Sequence, residues 1–111
     1  MTATAAVHVE REGTSCVVTL AGEIDLAVSP EIIELGLAMI ETADASDVLV
    51  DMGQVTFLDS TGIGALVTIR NAATARGLPV RVAHAPLRVR RILGIAGMDA
   101  LLGVVGDDCS R

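Results

Sequence analysis

The chain has 111 residues, of which 51% are hydrophobic, and its 14 acidic and 8 basic side chains give a net charge of −6. This length fits one domain, residues 1–111, that can bury a core without metals or disulfides. The acidic balance argues against direct nucleic-acid binding, and the absence of a long apolar run or of a basic-then-apolar leader predicts a cytoplasmic protein without a membrane segment.

The core is expected to be aliphatic, because Phe57 is the only aromatic residue. The two cysteines are too few for a disulfide framework and fit a reducing compartment. Cys16 lies in a strand-like run, where we expect it to be buried. Cys109 lies in a polar tail and is expected to be an exposed thiol.

The first elements along the chain are predicted to form a β-hairpin. Residues 7–11 and 16–21 are strand-like, and the polar segment between them is typical of a turn. We expect the second strand to end at Gly22, in a loop that carries Glu23 and Asp25.

The rest of the chain alternates between helix and strand. Capping residues and prolines mark the helix starts, and the strands are short apolar runs. In chain order these elements are a helix from Ser29 to about Thr42, a strand at 47–52, a helix at 61–76, a strand at 80–83, a helix from Pro86 to about Leu93, and a short apolar close at 98–105. This order predicts the α/β class, with a mixed β-sheet that an N-terminal hairpin opens and helices cover.

The junction between the third strand and the second helix concentrates hydroxyls, an acid and glycines. Its sequence is Asp59-Ser60-Thr61-Gly62-Ile63-Gly64. Such side-chain oxygens accept the unpaired amide hydrogens of a first helical turn, and a hydroxyl there can also carry a phosphate, because helix N-termini favour anions. Ser60 is therefore a candidate both for the helix cap and for a modification site. Asp59 is a candidate for a second cap or for a partner contact.

The second helix has a predicted contact side and a predicted core side. At about 100° per residue, Ile63, Gly64 and Val67 lie on the same side as the serine, whereas Leu66 and Ile69 point away from it. We expect Ile63 and Val67 to form the apolar centre of a contact patch, and the second pair to lie in the core.

Other candidate sites do not complete a known pattern. Gly62 and Gly64 lack the third glycine of a dinucleotide fingerprint, and His8 and His84 are isolated, so no metal site is expected. An enzyme with Ser60 as nucleophile would need a nearby base. Only His84, expected at the sheet edge near this junction, is a candidate base, and the Gly-x-Ser-x-Gly pattern is absent.

Charge is distributed unevenly along the chain. Residues 1–59 carry eleven acids and one base, whereas residues 60–111 carry seven bases and three acids. The only basic cluster contains Arg88, Arg90 and Arg91. We interpret it as the solvated face of a short helix.

Three segments follow one another in a characteristic order. They are Gly22-Glu23-Ile24-Asp25, the junction sequence given above, and Val89-Arg90-Arg91-Ile92-Leu93-Gly94-Ile95-Ala96-Gly97-Met98. Together they resemble the STAS domain family, and specifically the stand-alone bacterial anti-sigma-factor antagonists. The resemblance covers about residues 7–106.

The resemblance implies a phosphorylation-switched binding module without catalysis or cofactor. In that family an anti-sigma factor that is also a serine kinase phosphorylates the hydroxyl residue after the motif's aspartate. The unmodified antagonist binds this kinase and frees the sigma factor, whereas the phosphorylated form lets go, and a phosphatase opposes the kinase.

Carried onto this chain, the phosphoacceptor is Ser60, with Thr61 as the second candidate. The expected partner-binding residues are Glu23, Asp25, Asp59, Thr61, Gly62, Ile63, Gly64 and Val67. A nucleotide-binding or stressosome-type STAS module is the alternative.

Overall fold

The computed structural model describes residues 5–42, 44–95 and 97. Its elements are β1 (Ala6–Glu12), β2 (Ser15–Ile24), α1 (Ser29–Thr42), β3 (Asp47–Leu58), α2 (Ser60–Ala75), β4 (Val80–Ala83) and α3 (Leu87–Ile95). The predicted hairpin, the three helices and the third and fourth strands are all present. The predicted apolar close at 98–105 and Cys109 lie outside the described residues.

The strands form one mixed sheet in the order β1-β2-β3-β4. β1 pairs antiparallel with β2 through a turn in which Gly13 takes a φ of 60°. The β2–β3 and β3–β4 pairs are parallel, and helices form the connections between these strands. The predicted α/β class with a mixed sheet is therefore confirmed.

One face of the sheet carries the core. Alternate residues of β2, β3 and β4 share this face because the register pairs Cys16 with Val48 and Val18 with Val50. The helices add further buried aliphatic side chains to the same cluster: Ile32, Ile40, Leu66, Ile69, Val89 and Leu93. Cys16 is buried as predicted, and burial, helped by the nearby Asp47 carboxylate, raises the pKa of its thiol.

Helices α1 and α2 pack against each other closely. A Cβ added at Gly36 of α1 would lie 2.7 Å from Cδ1 of Ile69 in α2, so the glycine allows the two helices to approach. This packing places the start of α1, at Ser29, beside the start of α2.

Two strands are longer than predicted. The prediction that Gly22 ends β2 in a loop is wrong, because β2 continues to Ile24 and pairs with a β3 that extends to Leu58 rather than to residue 52. Gly22 has a φ of 81° and lies at a register shift, where β3 holds one extra residue, Thr56, between the partners of Gly22 and Glu23. The extension carries β2 and β3 together to the junction with α2.

Candidate functional site

The junction between β3 and α2 lies beside the end of β2 and the start of α1. The Asp59 amide donates to the carbonyl of Ile24 at 3.2 Å, which ties the end of β3 to the end of β2. The Ser29 hydroxyl at the start of α1 lies 3.3 Å from the Thr61 hydroxyl. The junction is therefore held from both sides by packed elements.

Asp59 is the N-cap of α2. Its backbone is extended, with φ −103° and ψ −171°. Its Oδ1 accepts from the amides of Thr61 at 2.9 Å and Gly62 at 3.1 Å, and from the Thr61 hydroxyl at 2.6 Å. The bond from the Thr61 hydroxyl, followed by that from the Gly62 amide, lowers the pKa of Asp59 below its ordinary 3.8.

The interpretation of Ser60 as the cap is therefore wrong, and of the two roles considered for Asp59 the structure shows the cap. Asp59 occupies the cap position because its amide donates to the Ile24 carbonyl at the end of β2. This bond makes Asp59 the last residue before the helix. Ser60 becomes the first helical residue, and its hydroxyl is not needed for capping.

The hydroxyls of Ser60 and Thr61 differ in accessibility. Thr61 is half-buried, and its hydroxyl is engaged with Asp59. Ser29, beside it, is 3% exposed and donates to the Asp25 carbonyl at 2.7 Å. Ser60 is exposed, and within residues 5–42, 44–95 and 97 its hydroxyl has no hydrogen-bond partner. Of the Ser60 and Thr61 hydroxyls, that of Ser60 is therefore the more accessible.

The two glycines of the junction have different environments. A Cβ on Gly62 would lie 2.8 Å from the Ile24 carbonyl oxygen and 3.1 Å from Cδ1 of Leu58. Gly62 is thus buried against the ends of β2 and β3, where only hydrogen fits. A Cβ on Gly64 would meet nothing within 4 Å, so Gly64 lies open on the exposed side of the helix.

The predicted phase of α2 agrees with the observed burial. Leu66 and Ile69 are buried, whereas Ile63 and Val67 are half-buried and Gly64 is exposed. Ile63 also packs partly against the core. The side of α2 that carries Ser60 is therefore a partly apolar surface.

Two apolar side chains near the junction are exposed, which the sequence does not predict. Leu26, in the loop before α1, is 68% exposed, and Phe57 is 45% exposed. Phe57 pairs with Glu23 in the β2–β3 register, so both side chains stand at the same level of the sheet. No local signal in the sequence marks either side chain as exposed, because an apolar residue is by default expected to be buried.

The loop that follows β2 contributes acidic side chains. Glu23 is exposed, and Asp25 is half-buried with its Oδ1 accepting from the Ala27 amide at 3.0 Å. In the described part of the chain, neither these two acids nor Asp59 forms an ion pair. The junction is therefore bordered by carboxylates that a basic partner can neutralise.

His84 does not belong to this site, and its expected place near the junction is wrong. β4 ends at Ala83, which pairs with Asp51, and Leu58 lies seven residues further along β3, or roughly 20 Å at the usual strand rise. His84 is an exposed residue with a φ of 62°, and its Nδ1 lies 3.4 Å from the Asp51 carboxylate. It cannot serve as a base for Ser60. Among the described residues no cluster of three or more potential metal ligands occurs.

The cap predicts how stability depends on pH. Because the folded pKa of Asp59 is depressed, its charge contributes stability that is complete above the unfolded pKa and is lost as pH falls through the folded value. Asp59→Asn keeps a capping oxygen but not the charge. Relative to wild type, the free energy of unfolding of Asp59→Asn should be lower at neutral pH. This deficit should shrink as the pH falls from about 5 to about 2, because the wild type loses its charge over this range. Asp59→Ala also lacks the capping oxygen and should keep a deficit of about 1 kcal/mol. Urea unfolding at several pH values measures both, and a pH-independent deficit for Asp59→Asn would contradict the assignment.

The described residues contain no helix that is long and apolar enough to cross a lipid bilayer.

Comparison with solved structures shows the same fold in bacterial regulators. An anti-sigma factor antagonist from Mycobacterium paratuberculosis aligns with a TM-score of 0.72 and 24% identity, over 97% of this chain and 94% of that one. The phosphorylated form of the Bacillus cell fate determinant SpoIIAA aligns with a TM-score of 0.67 and 16% identity, over 95% and 96%. The STAS domain of a SulP transporter from Vibrio cholerae also matches, with a TM-score of 0.67 and 22% identity over 86% and 75%.

At these identities the structural matches establish the fold alone. A family model described as "Mlab, STAS domain" matches residues 7–104, which is most of the chain. This match, together with the shared fold, shows that the chain belongs to the STAS domain family.

Proposed function

We propose that this chain is an anti-sigma-factor antagonist that phosphorylation of Ser60 switches off. In its unmodified form it binds an anti-sigma factor with serine kinase activity and so frees a sigma factor. The observation that carries the proposal is the exposed Ser60 hydroxyl at the first position of α2, which has no hydrogen-bond partner among the described residues, beside a Thr61 hydroxyl that is already engaged. The fold shared with anti-sigma factor antagonists supports it.

The proposed binding surface surrounds Ser60. It consists of the acidic loop with Glu23 and Asp25, the exposed Leu26 and Phe57, and the outer side of α2 with Ile63, Gly64 and Val67. We assign Gly62 and Asp59 the role of shaping this surface, because one is buried and the other caps the helix. The partner is then expected to offer a basic rim around an apolar centre.

The switch follows from charge. A phosphate on Ser60 adds about two negative charges to a surface that already holds uncompensated carboxylates. The Thr61 and Gly62 amides are occupied by Asp59, so the phosphate would point outward rather than replace the cap. The fold is expected to survive, whereas a partner fitted to a neutral hydroxyl would have to bury the added charge, which is costly.

Phosphosite mapping tests the proposed acceptor. The purified chain is incubated with ATP and candidate anti-sigma kinases, and the product is mapped by mass spectrometry. We expect one phosphate on Ser60, none on Ser60→Ala, and unchanged modification of Thr61→Val. Phosphate located on Thr61 in the wild-type chain would refute the assignment.

The acidic loop is expected to accelerate association with the partner. Glu23→Gln with Asp25→Asn should slow association several-fold at low salt and flatten its dependence on ionic strength, because steering by complementary charges acts on the association rate. The melting temperature should stay close to wild type, since the Asn oxygen can still accept from the Ala27 amide. Glu10→Gln with Glu12→Gln in β1 is the matched control with the same change in net charge. Equal association rates for the two double variants would contradict the assignment.

A further inference from the structure

The outer face of α3 combines arginines with exposed apolar side chains. Leu87 is 52% exposed and Ile95 is 89% exposed, while Arg88 and Arg91 are exposed between them. These four residues fall on one side of the helix at about 100° per residue, and the opposite side is anchored in the core by Val89 and Leu93. We call these four residues the α3 surface.

The α3 surface carries exposed apolar side chains as well as the solvated arginines. In the part of the chain that the structure describes, Arg88 and Arg91 form no ion pair, and α3 contains no acidic residue. Large apolar side chains exposed among charges are typical of a surface that another macromolecule covers. The occupant should therefore carry carboxylates around an apolar side chain.

The outer face of α1 has this complementary character. Glu31, Glu34 and Glu41 are exposed there, and Leu35 is 38% exposed among them. The other side of α1 is buried through Ile32 and Ile40. We call these four outward residues, Glu31, Glu34, Leu35 and Glu41, the α1 surface.

We propose that the α1 surface of a second copy of this chain docks on the α3 surface of the first. Glutamates would face arginines, and Leu35 would pack between Leu87 and Ile95. The proposed contact joins a different surface of each copy, as in a head-to-tail interface. This interaction is separate from the proposed function, because α2 and Ser60 lie outside both surfaces.

The expected association is weak and sensitive to salt. Two short helix faces bury less than the roughly 1,600 Å² of a standard interface, so the contact belongs to the transient class. The attraction is partly between exposed charges, which salt screens over a Debye length of about 10 Å at 0.1 M. Sedimentation velocity across a concentration series at about 20 mM salt is therefore the suitable measurement.

Charge reversal on each surface provides the test. Glu34→Arg with Glu41→Arg reverses two of the three glutamates of the α1 surface, and Arg88→Glu with Arg91→Glu reverses both arginines of the α3 surface. Each double variant alone should self-associate at least about tenfold more weakly than wild type, because like charges then meet. An equimolar mixture should regain association, because the reversed α1 surface of one variant meets the reversed α3 surface of the other.

Two controls distinguish this contact from a general effect of charge. Arg11→Glu with Arg70→Glu makes the same change in net charge as the α3 reversal and should associate as wild type does. Leu35→Ser keeps the glutamates and the net charge, and should weaken association by removing the apolar contact. Melting curves establish that each variant is folded.

The proposal is overturned if the wild-type chain stays monomeric at every concentration in low salt. It is equally overturned if either reversed variant associates as strongly as wild type. Failure of the mixture to regain association would show that the two surfaces do not meet each other, and would also overturn it.

Discussion

Leu66→Asp is expected to unfold the domain, whereas Val67→Asp, one residue further along α2, is expected to leave it folded. Leu66 is 1% exposed within the aliphatic core, so an aspartate there is an uncompensated buried carboxylate that costs several kcal/mol. That loss is a large fraction of the roughly 5–15 kcal/mol that stabilises a domain. Val67 is only half-buried, so its carboxylate can reach water and the loss of stability should be about 1 kcal/mol.

The same two variants separate folding from binding. Val67→Asp should bind the partner kinase at least about a hundredfold more weakly, because the charge would be desolvated in the complex. Circular dichroism melting curves and titration calorimetry measure the two effects. If Val67→Asp melts as low as Leu66→Asp, Val67 belongs to the core. If it folds normally and binds at full strength, the interface lies away from this side of α2.

Gly62→Ala and Gly64→Ala are expected to change stability in opposite directions. The added Cβ of Gly62→Ala would lie 2.8 Å from the Ile24 carbonyl oxygen and 3.0 Å from Cγ2 of Ile24. A backbone atom cannot rotate away as a side chain can, so the end of β2 must shift at a cost of about 1–3 kcal/mol. Gly64→Ala meets nothing within 4 Å and should gain up to about 1 kcal/mol from helix propensity.

Thermal denaturation distinguishes these outcomes readily. For a domain of this size each kcal/mol shifts the melting temperature by about 4–8 °C, so the two alanine variants should lie on opposite sides of wild type. If Gly62→Ala melts at or above the wild-type temperature, the close approach of α2 to β2 is wrong.

Local signals predicted most of the architecture. The strand-like runs on either side of Gly13, the Ser29–Pro30 start of α1 and the helical spacing of Leu66 and Ile69 depend on residues close together in sequence. Their structures follow from turn chemistry, capping and periodicity, which act over a few residues. For this reason α1, β4 and the phase of α2 agree with prediction.

The prediction failed where distant strands determine local structure. The sequence around Gly22 predicts the end of β2, yet the strand continues through this glycine, which is paired with Val55 of the extended β3. The choice of Asp59 over Ser60 as cap likewise depends on the bond from the Asp59 amide to Ile24, a residue far away in sequence. Asp59, Ser60 and Thr61 are all side chains that commonly cap helices. The long-range contact with Ile24 is what distinguishes Asp59 from the other two.

The sequence indicates only part of the binding surface that we propose. The acidic loop and the outer side of α2 were inferred, but Leu26 and Phe57 were not, although they are the more exposed apolar side chains. An apolar residue in a sequence is by default expected to be buried. Its exposure at the end of a sheet becomes visible only once the strand register is known.

The decisive measurement for the proposed switch is the affinity of the chain for the proposed anti-sigma kinase before and after phosphorylation of Ser60. Binding is measured with unmodified protein, with protein phosphorylated by the kinase and ATP, and with Ser60→Ala. We expect the affinity of the phosphorylated form to be at least about a hundredfold lower, with Ser60→Ala binding as the unmodified chain does whether or not ATP is present. Equal affinities for the phosphorylated and unmodified forms would contradict it, as would release of Ser60→Ala by ATP.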